Sequence, residues 1–189
     1  MNERSLTTKE LIASTALRLF VEKGITETRI RDIAAAAQIA EGTLYRHYKS
    51  KEELAWELFV TNLQIFTRAL DGVQKKEKTL REKLDAMIHY FCRKFDEDWV
   101  MFSYLLISQH GHVKRIPPEM KVPVDVLREV IGRGMDKGEI PRKDTYVASS
   151  MVIGLVLQIA VIKVYGRIEQ SLSSLADTLS EAGWRVLEG

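Results

Sequence analysis

The stretch AEGTLYRHYKSKEEL, from Ala40 to Leu54, decides how the N-terminal part of this chain folds. Its first half predicts a short helix from Glu41 to His47, in which most side chains are polar. A helix of a soluble protein normally buries one apolar face against a core. Because this helix has so little apolar surface to bury, it indicates a binding element.

Two further helices are predicted in front of this one. The first runs from Lys9 to Lys23 and ends at Gly24, because glycine commonly terminates helices. The second runs from Arg29 to Ala37, and Thr28 is expected to cap it and to offer a phosphate site at its start. The next two residues form a tight turn that leads into the third helix.

Two helices joined by a tight turn, with hydrogen-bonding side chains displayed on the second, form a helix-turn-helix, here at about residues 28–48. Leu44 and Tyr48 lie four residues apart and are expected to anchor the second of these helices. That helix would then fit the major groove of B-DNA. Gly42 keeps its surface low, so that a base edge can approach closely.

The chemistry of the exposed side chains favours the same interpretation. The Tyr45 hydroxyl and the His47 ring can donate to phosphate oxygens, and Thr43 can contact base edges. Lys51 starts a fourth helix, where its ammonium and the free backbone N–H groups form a phosphate site. For Arg46, phosphate contact and simple solvation are both left open. The predicted DNA-contacting residues are Thr28, Arg29, Glu41, Gly42, Thr43, Tyr45, Arg46, His47 and Lys51.

Charge is unevenly distributed along the 189 residues, although the net charge is only +2. Residues 1–51 hold nine Lys and Arg against six Asp and Glu, a net charge of +3, and the remainder carries −1. This asymmetry permits a polyanionic partner. A single cysteine, Cys92, excludes a disulfide within the chain, and MNERSLTTKEL lacks the apolar core of a signal peptide, so a cytoplasmic protein is expected.

The rest of the chain also reads as helices, so the predicted fold is all-α, with about nine helices. After the third helix they are expected near 51–69, 78–95, 97–109, 119–137, 144–166 and 170–187, with a polar link at 71–78. The most apolar stretch, VASSMVIGLVLQIAVIKVY, is interpreted as a buried helix. Ser149, Gln158 and Lys163 interrupt it too often for a membrane span, and no membrane partner is expected.

The segment LFVEKGITETRIRDIAAAAQIAEGTLYRHYKSKEEL resembles the tetracycline-repressor (TetR) family of bacterial regulators. The resemblance covers Ile12 to Leu54, and the residues that stand in the family's register are Phe20, Gly24, Thr28, Ile33, Ala34, Ala37, Gly42, Thr43, Leu44, Tyr45, Tyr48, Lys51 and Leu54. It implies a DNA-binding role for this module. The contacts it implies come from Thr28, Thr43, Tyr45, His47 and Lys51.

Two positions depart from the family pattern. Gln38 stands in the turn where the family usually has glycine, and a left-handed backbone there would cost a non-glycine residue roughly 1 kcal/mol. Ala40 stands where a serine or threonine usually caps the third helix, a loss of about 1 kcal/mol and of one possible phosphate contact.

For the C-terminal part the resemblance implies a regulatory domain that dimerises through its last two helices as a four-helix bundle and holds an inducer. The predicted domains are therefore residues 1–51 for DNA binding and 52–189 for ligand binding and dimerisation. Small residues on the penultimate helix would let helices approach closely, and an apolar seam on the last helix would supply a partner face. The predicted interface residues are Ser150, Gly154, Leu172, Leu175, Leu179 and Val186.

The expected effector is an apolar or aromatic small molecule, and neither a cofactor nor a metal is expected. Aromatic residues are plentiful between positions 59 and 104, although an aromatic stripe is more often core than cavity. A lone amide in an apolar helix needs hydrogen-bond partners, which makes Gln158 a further candidate. The predicted pocket residues are Phe66, Phe91, Phe95, Trp99, Phe102 and Gln158.

The sequence therefore predicts a sequence-specific transcriptional regulator, a ligand-released homodimeric repressor that binds a palindromic operator in double-stranded DNA. Two alternatives remain open at this point. One is a helical ligand-binding protein that does not bind DNA, and the other is a small-molecule enzyme on a helical bundle. No metalloprotease motif, phosphate loop or nucleophile elbow favours the enzyme, and no catalytic residue is assigned.

Overall fold

A computed structural model describes residues 7–189, and every regular element in that range is helical. The first six residues of the predicted 1–51 domain lie outside the described residues. The all-α prediction is confirmed, because the described range holds nine α-helices: α1 Thr8–Lys23, α2 Ile30–Ala36, α3 Glu41–His47, α4 Lys51–Gln74, α5 Leu80–Glu97, α6 Trp99–His112, α7 Pro123–Asp136, α8 Thr145–Val164 and α9 Ala176–Glu188. Short 3-10 turns occupy Val113–Arg115 and Ser173–Leu175.

Local chemistry explains where α1 starts and stops. The Thr7 hydroxyl accepts the Glu10 N–H at 3.2 Å, and the Glu10 carboxylate accepts the Thr7 N–H at 2.8 Å, which completes a capping box. At the other end Gly24 adopts φ of 84° and ends the helix, as predicted.

Two predicted helix boundaries need correction. The fourth helix was expected to end at 69 but continues to Gln74, because Leu70 is buried and keeps the helix packed through the first half of the expected link. At its start, the Ser50 hydroxyl accepts the Glu53 N–H at 3.1 Å, and the Glu53 carboxylate accepts the N–H of Lys49. The last helix begins at Ala176, after a 3-10 turn, rather than at 170.

Contacts divide the chain into two compact units. The first comprises the chain up to Asn62 together with Val100–Ile116, and the second comprises Leu63–Trp99 together with Pro117–Gly189. The predicted boundary between residues 51 and 52 falls in the first turn of α4. Contacts thus group α6 with the N-terminal helices, whereas the sequence placed it in the C-terminal domain.

The core of the first unit includes Tyr104 of α6, which is almost completely buried. Its hydroxyl donates to the carbonyl of Ala55 on α4 at 2.5 Å, and its ring stacks on Phe20 of α1 with centroids 5.9 Å apart. One side chain of α6 therefore holds both α1 and α4.

In the second unit α5 packs against α7 and α9, and α8 packs against the same two helices. Gly134 lets α7 approach the start of α5, because a Cβ at this position would lie 2.5 Å from Leu80 Cδ2. Between α5 and α9, the Ser180 hydroxyl donates to Asp85 at 2.7 Å and Arg81 pairs with Glu181 at 2.6 Å. Cys92 is buried in this core, and burial raises the pKa of its thiol to about 12.

The expectation that the most apolar helix is buried is only partly correct. Within residues 7–189, α8 is the helix that is long and apolar enough to cross a membrane by length and composition, and only 28% of it is buried in the chain. One face, with Val152 and Val156, packs inside the unit. The opposite face exposes Val147, Met151 and Leu155 by 54%, 56% and 37%. Periodicity could not reveal this division, because both faces are apolar.

The turn between α2 and α3 closes with two backbone hydrogen bonds. The Gln38 N–H donates to the Ala35 carbonyl at 3.1 Å, and the Ile39 N–H donates to the Ala34 carbonyl at 3.0 Å. This pair of bonds is the Schellman motif, in which the residue after the C-cap takes a left-handed conformation and is usually glycine. Here that residue is Gln38, with φ of 56°. The side chain at this position therefore adds strain, as the departure from the family pattern predicts.

Replacing Gln38 by glycine is expected to stabilise the protein by about 0.5–1 kcal/mol, because the relief of the left-handed strain exceeds the entropy that glycine adds to the unfolded chain. Urea unfolding of the Gln38→Gly variant measures the change. The matched control is Gln38→Ala, which keeps a Cβ in the strained position and should unfold like the wild type. Equal midpoints for the glycine and alanine variants would contradict the assignment of strain to this residue.

Candidate nucleic-acid interface

The recognition helix α3 is held by two buried side chains and is otherwise open to solvent. Leu44 is completely buried and Tyr48, which follows the helix as its C-cap, is almost so, which confirms both as anchors. On α1, the Lys9 ammonium lies 5.6 Å from the centre of the Tyr48 ring and pairs with Glu57 of α4 at 2.6 Å. Lys9 therefore lies against the Tyr48 ring and also ties α1 to α4.

The predicted contact face of α3 is exposed as expected. Tyr45 exposes 53% of its surface, and Glu41, Gly42, Arg46 and His47 are also exposed, whereas Thr43 is half-buried. The open space at Gly42 permits close approach of a partner, since a Cβ there would meet nothing within 4 Å. Ala40 occupies the N-cap and supplies no side-chain hydrogen bond, so the amides of the first turn have no cap from this side chain.

Arg46 has a defined position on this face. Its Nη2 donates to the Thr43 hydroxyl oxygen at 3.0 Å, one turn earlier on the same helix. The guanidinium therefore lies back along α3, beside the residue predicted to contact base edges. The Thr43 hydroxyl still has its own proton to donate, so the bond orders both side chains without removing Thr43 as a donor.

Lys51 has a structural partner besides its predicted phosphate. Its Nζ donates to the Thr26 carbonyl in the α1–α2 loop at 3.0 Å, which ties the first turn of α4 to that loop. An ammonium has three N–H donors, so two remain for a phosphate oxygen. The same side chain thus positions the loop and carries charge at the start of α4.

The roles predicted for Thr28 need correction. Arg29, not Thr28, is the N-cap of α2, and the Arg29 N–H donates to the Asp32 carboxylate at 3.0 Å. Thr28 is completely buried, and its hydroxyl lies 2.7 Å from the Gly24 carbonyl and 3.3 Å from the Leu19 carbonyl. Because its proton is used inside the fold, Thr28 closes the α1–α2 turn and does not offer its hydroxyl to a phosphate.

Sequence reasoning did not include Arg31, which lies in the first turn of α2 next to the exposed Arg29. Its side chain is 63% exposed, and its Nε is 3.9 Å from the Asp32 carboxylate. Arg31 could have been identified from its position in the sequence, because it stands two residues after Arg29, on the other side of the inward-facing Ile30. Together with Arg46 and Lys51, these cations give the helix-turn-helix surface its positive charge.

The predicted pocket residues are only partly brought together. In the second unit Phe66 lies 6.0 Å from Phe91, Phe91 lies 6.1 Å from Phe95, and Phe95 lies 5.5 Å from Trp99, all between ring centroids. Phe102 belongs to the first unit. Gln158 is exposed on the open face of α8, so it is not a buried amide that lines a pocket.

A cleft of about 420 Å³ in the second unit contains none of the predicted pocket residues. Its walls come from α4 and from the segment before α7, and both Arg68 and Lys121 line it. Lys121 is already paired with Glu129 at 2.8 Å and lies 3.8 Å from Asp71. The full lining is Gln64, Thr67, Arg68, Asp71, Pro117, Glu119, Met120 and Lys121.

The predicted interface residues divide into two groups. Ser150 and Gly154 lie on the exposed face of α8, and Leu175 and Val186 are half-buried. Leu172 and Leu179 are buried inside the chain, so their assignment to a dimer interface is wrong. The apolar seam packs within its own unit, where α9 contacts α5 and α8.

Comparison with known proteins agrees with this architecture. The family described as bacterial regulatory proteins, tetR family, matches residues 12–58, which span α1 to the start of α4. The fatty acid metabolism regulator protein of Bacillus subtilis (strain 168) is 25% identical over 175 residues, which cover 90% of each chain.

Solved structures share the fold over almost the whole length. The fatty acid degradation regulator FadR from Bacillus halodurans superposes with a TM-score of 0.85 at 20% identity and covers 99% of this chain and 98% of its own. FadR from Bacillus subtilis, solved in complex with stearoyl-CoA, superposes with a TM-score of 0.75 at 21% identity. The match covers 92% of this chain and 96% of that structure's chain. Residues 12–58 therefore match the DNA-binding module of the tetR family of bacterial regulatory proteins, and the chain as a whole shares the fold of the two FadR structures.

Proposed function

We propose that this protein is a sequence-specific DNA-binding transcriptional regulator that acts as a homodimeric, ligand-released repressor. The observation that carries the proposal is the exposed face of α3, which presents Tyr45 and His47 beside the half-buried Thr43, while Leu44 and Tyr48 anchor the helix. A seven-residue helix that exposes its hydrogen-bonding groups and is rigidly held at its base suits insertion into a major groove.

The proposed contacts follow from the placement of each donor. The Tyr45 hydroxyl and the His47 ring donate to phosphate oxygens, and Thr43, ordered by Arg46, faces the base edges. Lys51 adds a phosphate contact from the start of α4. Phosphate contacts fix the register of the protein on DNA, whereas the contact of Thr43 carries sequence information.

We infer a homodimer from the open face of α8. An exposed apolar face of this length needs a cover in water, and a second copy of the same face provides one. Ser150 and Gly154 lie on it and keep it low enough for close helix packing. A two-fold dimer would hold two α3 helices about 34 Å apart and would therefore read a palindromic operator. We expect such a DNA-binding dimer to be located in the cytoplasm.

The proposed effector is a small molecule with a large apolar part. The relative from Bacillus subtilis was solved with stearoyl-CoA, whose acyl chain is of this kind. In this chain the rings of Phe66, Phe91, Phe95 and Trp99 pack together in the second unit, with Phe91 and Phe95 buried and Trp99 exposed, and this cluster is the apolar candidate for the site. Ligand would weaken DNA binding only by binding more tightly to the conformation that does not fit the operator. The alternative is a ligand-binding protein that does not bind DNA. No catalytic motif in the sequence supports a small-molecule enzyme.

The test is selection of random double-stranded DNA by the purified full-length protein, followed by measurement of affinity against salt. A palindromic consensus and a steep salt dependence are the expected results, because a dimer neutralises several phosphates in two half-sites. The operator found in this way then serves as the probe for release by stearoyl-CoA. A protein that enriches no sequence, with or without stearoyl-CoA, would favour the alternative without DNA binding.

Tyr45→Phe is expected to weaken operator binding about tenfold while the melting temperature stays unchanged. The variant removes a hydrogen bond to a charged phosphate and keeps the ring, and the lower end of the usual contribution of about 1.5–3 kcal/mol corresponds to about tenfold. The matched control is Tyr165→Phe, which alters a tyrosine that is 66% exposed in the other unit and should leave affinity unchanged. If the operator affinity of Tyr45→Phe equals that of the wild type, the hydroxyl is not a contact.

Lys51→Ala is expected to weaken binding to all DNA sequences about equally and to reduce the slope of log affinity against log salt by about one unit per protomer. The same variant loses the bond to the Thr26 carbonyl, so thermal unfolding is measured in parallel. Lys76→Ala is the control, because that lysine is exposed in the second unit. A normal salt slope in the Lys51 variant would remove this lysine from the phosphate contacts.

A further inference from the structure

The last residue of α6 is a buried histidine that the proposed DNA contacts do not use. The ring of His112 lies 4.9 Å from the ring of Phe59 and 5.8 Å from that of Trp56, both measured between centroids. Both partners belong to the first half of α4, within the first unit. The side chain is 92% buried, since only 8% of its surface is exposed.

The polar atoms of this ring are left without partners. Among the described residues neither Nδ1 nor Nε2 of His112 has a hydrogen-bond partner, and neither atom is accessible to solvent. A buried donor or acceptor left unsatisfied costs about 1–3 kcal/mol, so a phenyl ring would fill this space at lower free energy. Packing alone therefore does not account for an imidazole at this place.

The charges around the ring also disfavour its protonated form. Arg115, three residues further on, places its guanidinium 4.4 Å from the centre of the Trp56 ring. On α4 the Glu57 carboxylate pairs with Lys9 and the Glu53 carboxylate accepts the N–H of Lys49, so both are engaged elsewhere.

The other charged residues near His112 and its partners do not offset the positive charge of Arg115. On α4 Glu52 is exposed, and on the other side of the contact His110 and Lys114 are exposed as well. No carboxylate therefore forms an ion pair with His112 in the described part of the chain. Burial, followed by the positive charge of Arg115, lowers the pKa of His112 below its ordinary value.

We propose that His112 is a proton-responsive contact, which holds α6 against α4 while neutral and releases it when protonated, so that acidification weakens DNA binding. This inference rests on the proposed function as a DNA-binding regulator. The imidazolium gains hydration only by leaving the rings of Trp56 and Phe59. Protonation thus favours conformations in which the last turn of α6 has moved away from α4.

The direction of the pH effect follows from linkage. Because the packed state binds a proton less readily than the open state, the contact is fully stabilising above the ordinary histidine pKa of about 6.5 and weakens as the pH falls below it. The consequence reaches the DNA surface through α4, since Lys51 begins this helix five residues before Trp56. When α6 leaves, the first turns of α4 lose the two ring contacts with His112.

Thermal unfolding of the full-length protein at pH 7.5 and pH 5.5 tests the contact without DNA. Between pH 7.5 and pH 5.5 the melting temperature of the wild type should fall by about 3 °C or more beyond the fall seen for His112→Phe. A difference of 1 kcal/mol shifts the melting temperature of a chain of this size by about 2–4 °C. If the phenylalanine variant does not fold, His112→Met, whose side chain is also uncharged, replaces it in this comparison. His110→Gln is the matched control, an exposed histidine on the same helix, and should behave like the wild type. An equal pH dependence of wild type and His112→Phe would overturn the proposal.

Operator affinity at the same two pH values, at constant salt, tests the coupling. Wild-type affinity should fall at least about threefold more than that of His112→Phe between pH 7.5 and 5.5. His47 on the contact face is present in both proteins, so its contribution cancels in the comparison. Equal losses of affinity would overturn the link to DNA binding. Absence of any operator at pH 7.5 would instead contradict the proposed function, and the unfolding experiment would still decide the histidine contact.

Discussion

The surface that this regulator offers to DNA depends on the burial of Leu44 and Tyr48. A helix of seven residues is far too short to be stable alone in water, so its conformation must come from packing. Only one side chain within α3 is buried, and the second anchor follows immediately after it. The rest of the helix is then free of any role in the core. That freedom allows polar side chains to occupy it without destabilising the fold.

Where the chain has one strong local signal, the sequence was sufficient to predict the structure. The bounds of α3, the stop at Gly24 and the anchors Leu44 and Tyr48 all follow from helix periodicity and from the special backbone of glycine. The strain at Gln38 was also predictable, because the family that the segment resembles usually has glycine at this position of the turn. These features depend on neighbours close in sequence.

Features that depend on distant partners could not be predicted in the same way. Thr28 was expected to cap the helix that follows it, but its hydroxyl bonds to Gly24 and Leu19, which precede it. Leu179 belongs to an apolar seam that suits a helix of the same chain as well as one of a partner, and the structure buries it within the chain. Periodicity identifies an apolar face without identifying what covers it.

The unit that folds around the recognition helix is larger than the module that the sequence reveals. The family match ends at residue 58, whereas the compact unit also includes Val100–Ile116 from α6. Tyr104 supplies the reason, since its ring packs on Phe20 and its hydroxyl bonds to Ala55. A change in α6 therefore alters the support of α1 and α4 directly. The support of the DNA-binding surface therefore includes α6, although nothing near α3 in the sequence points to this helix.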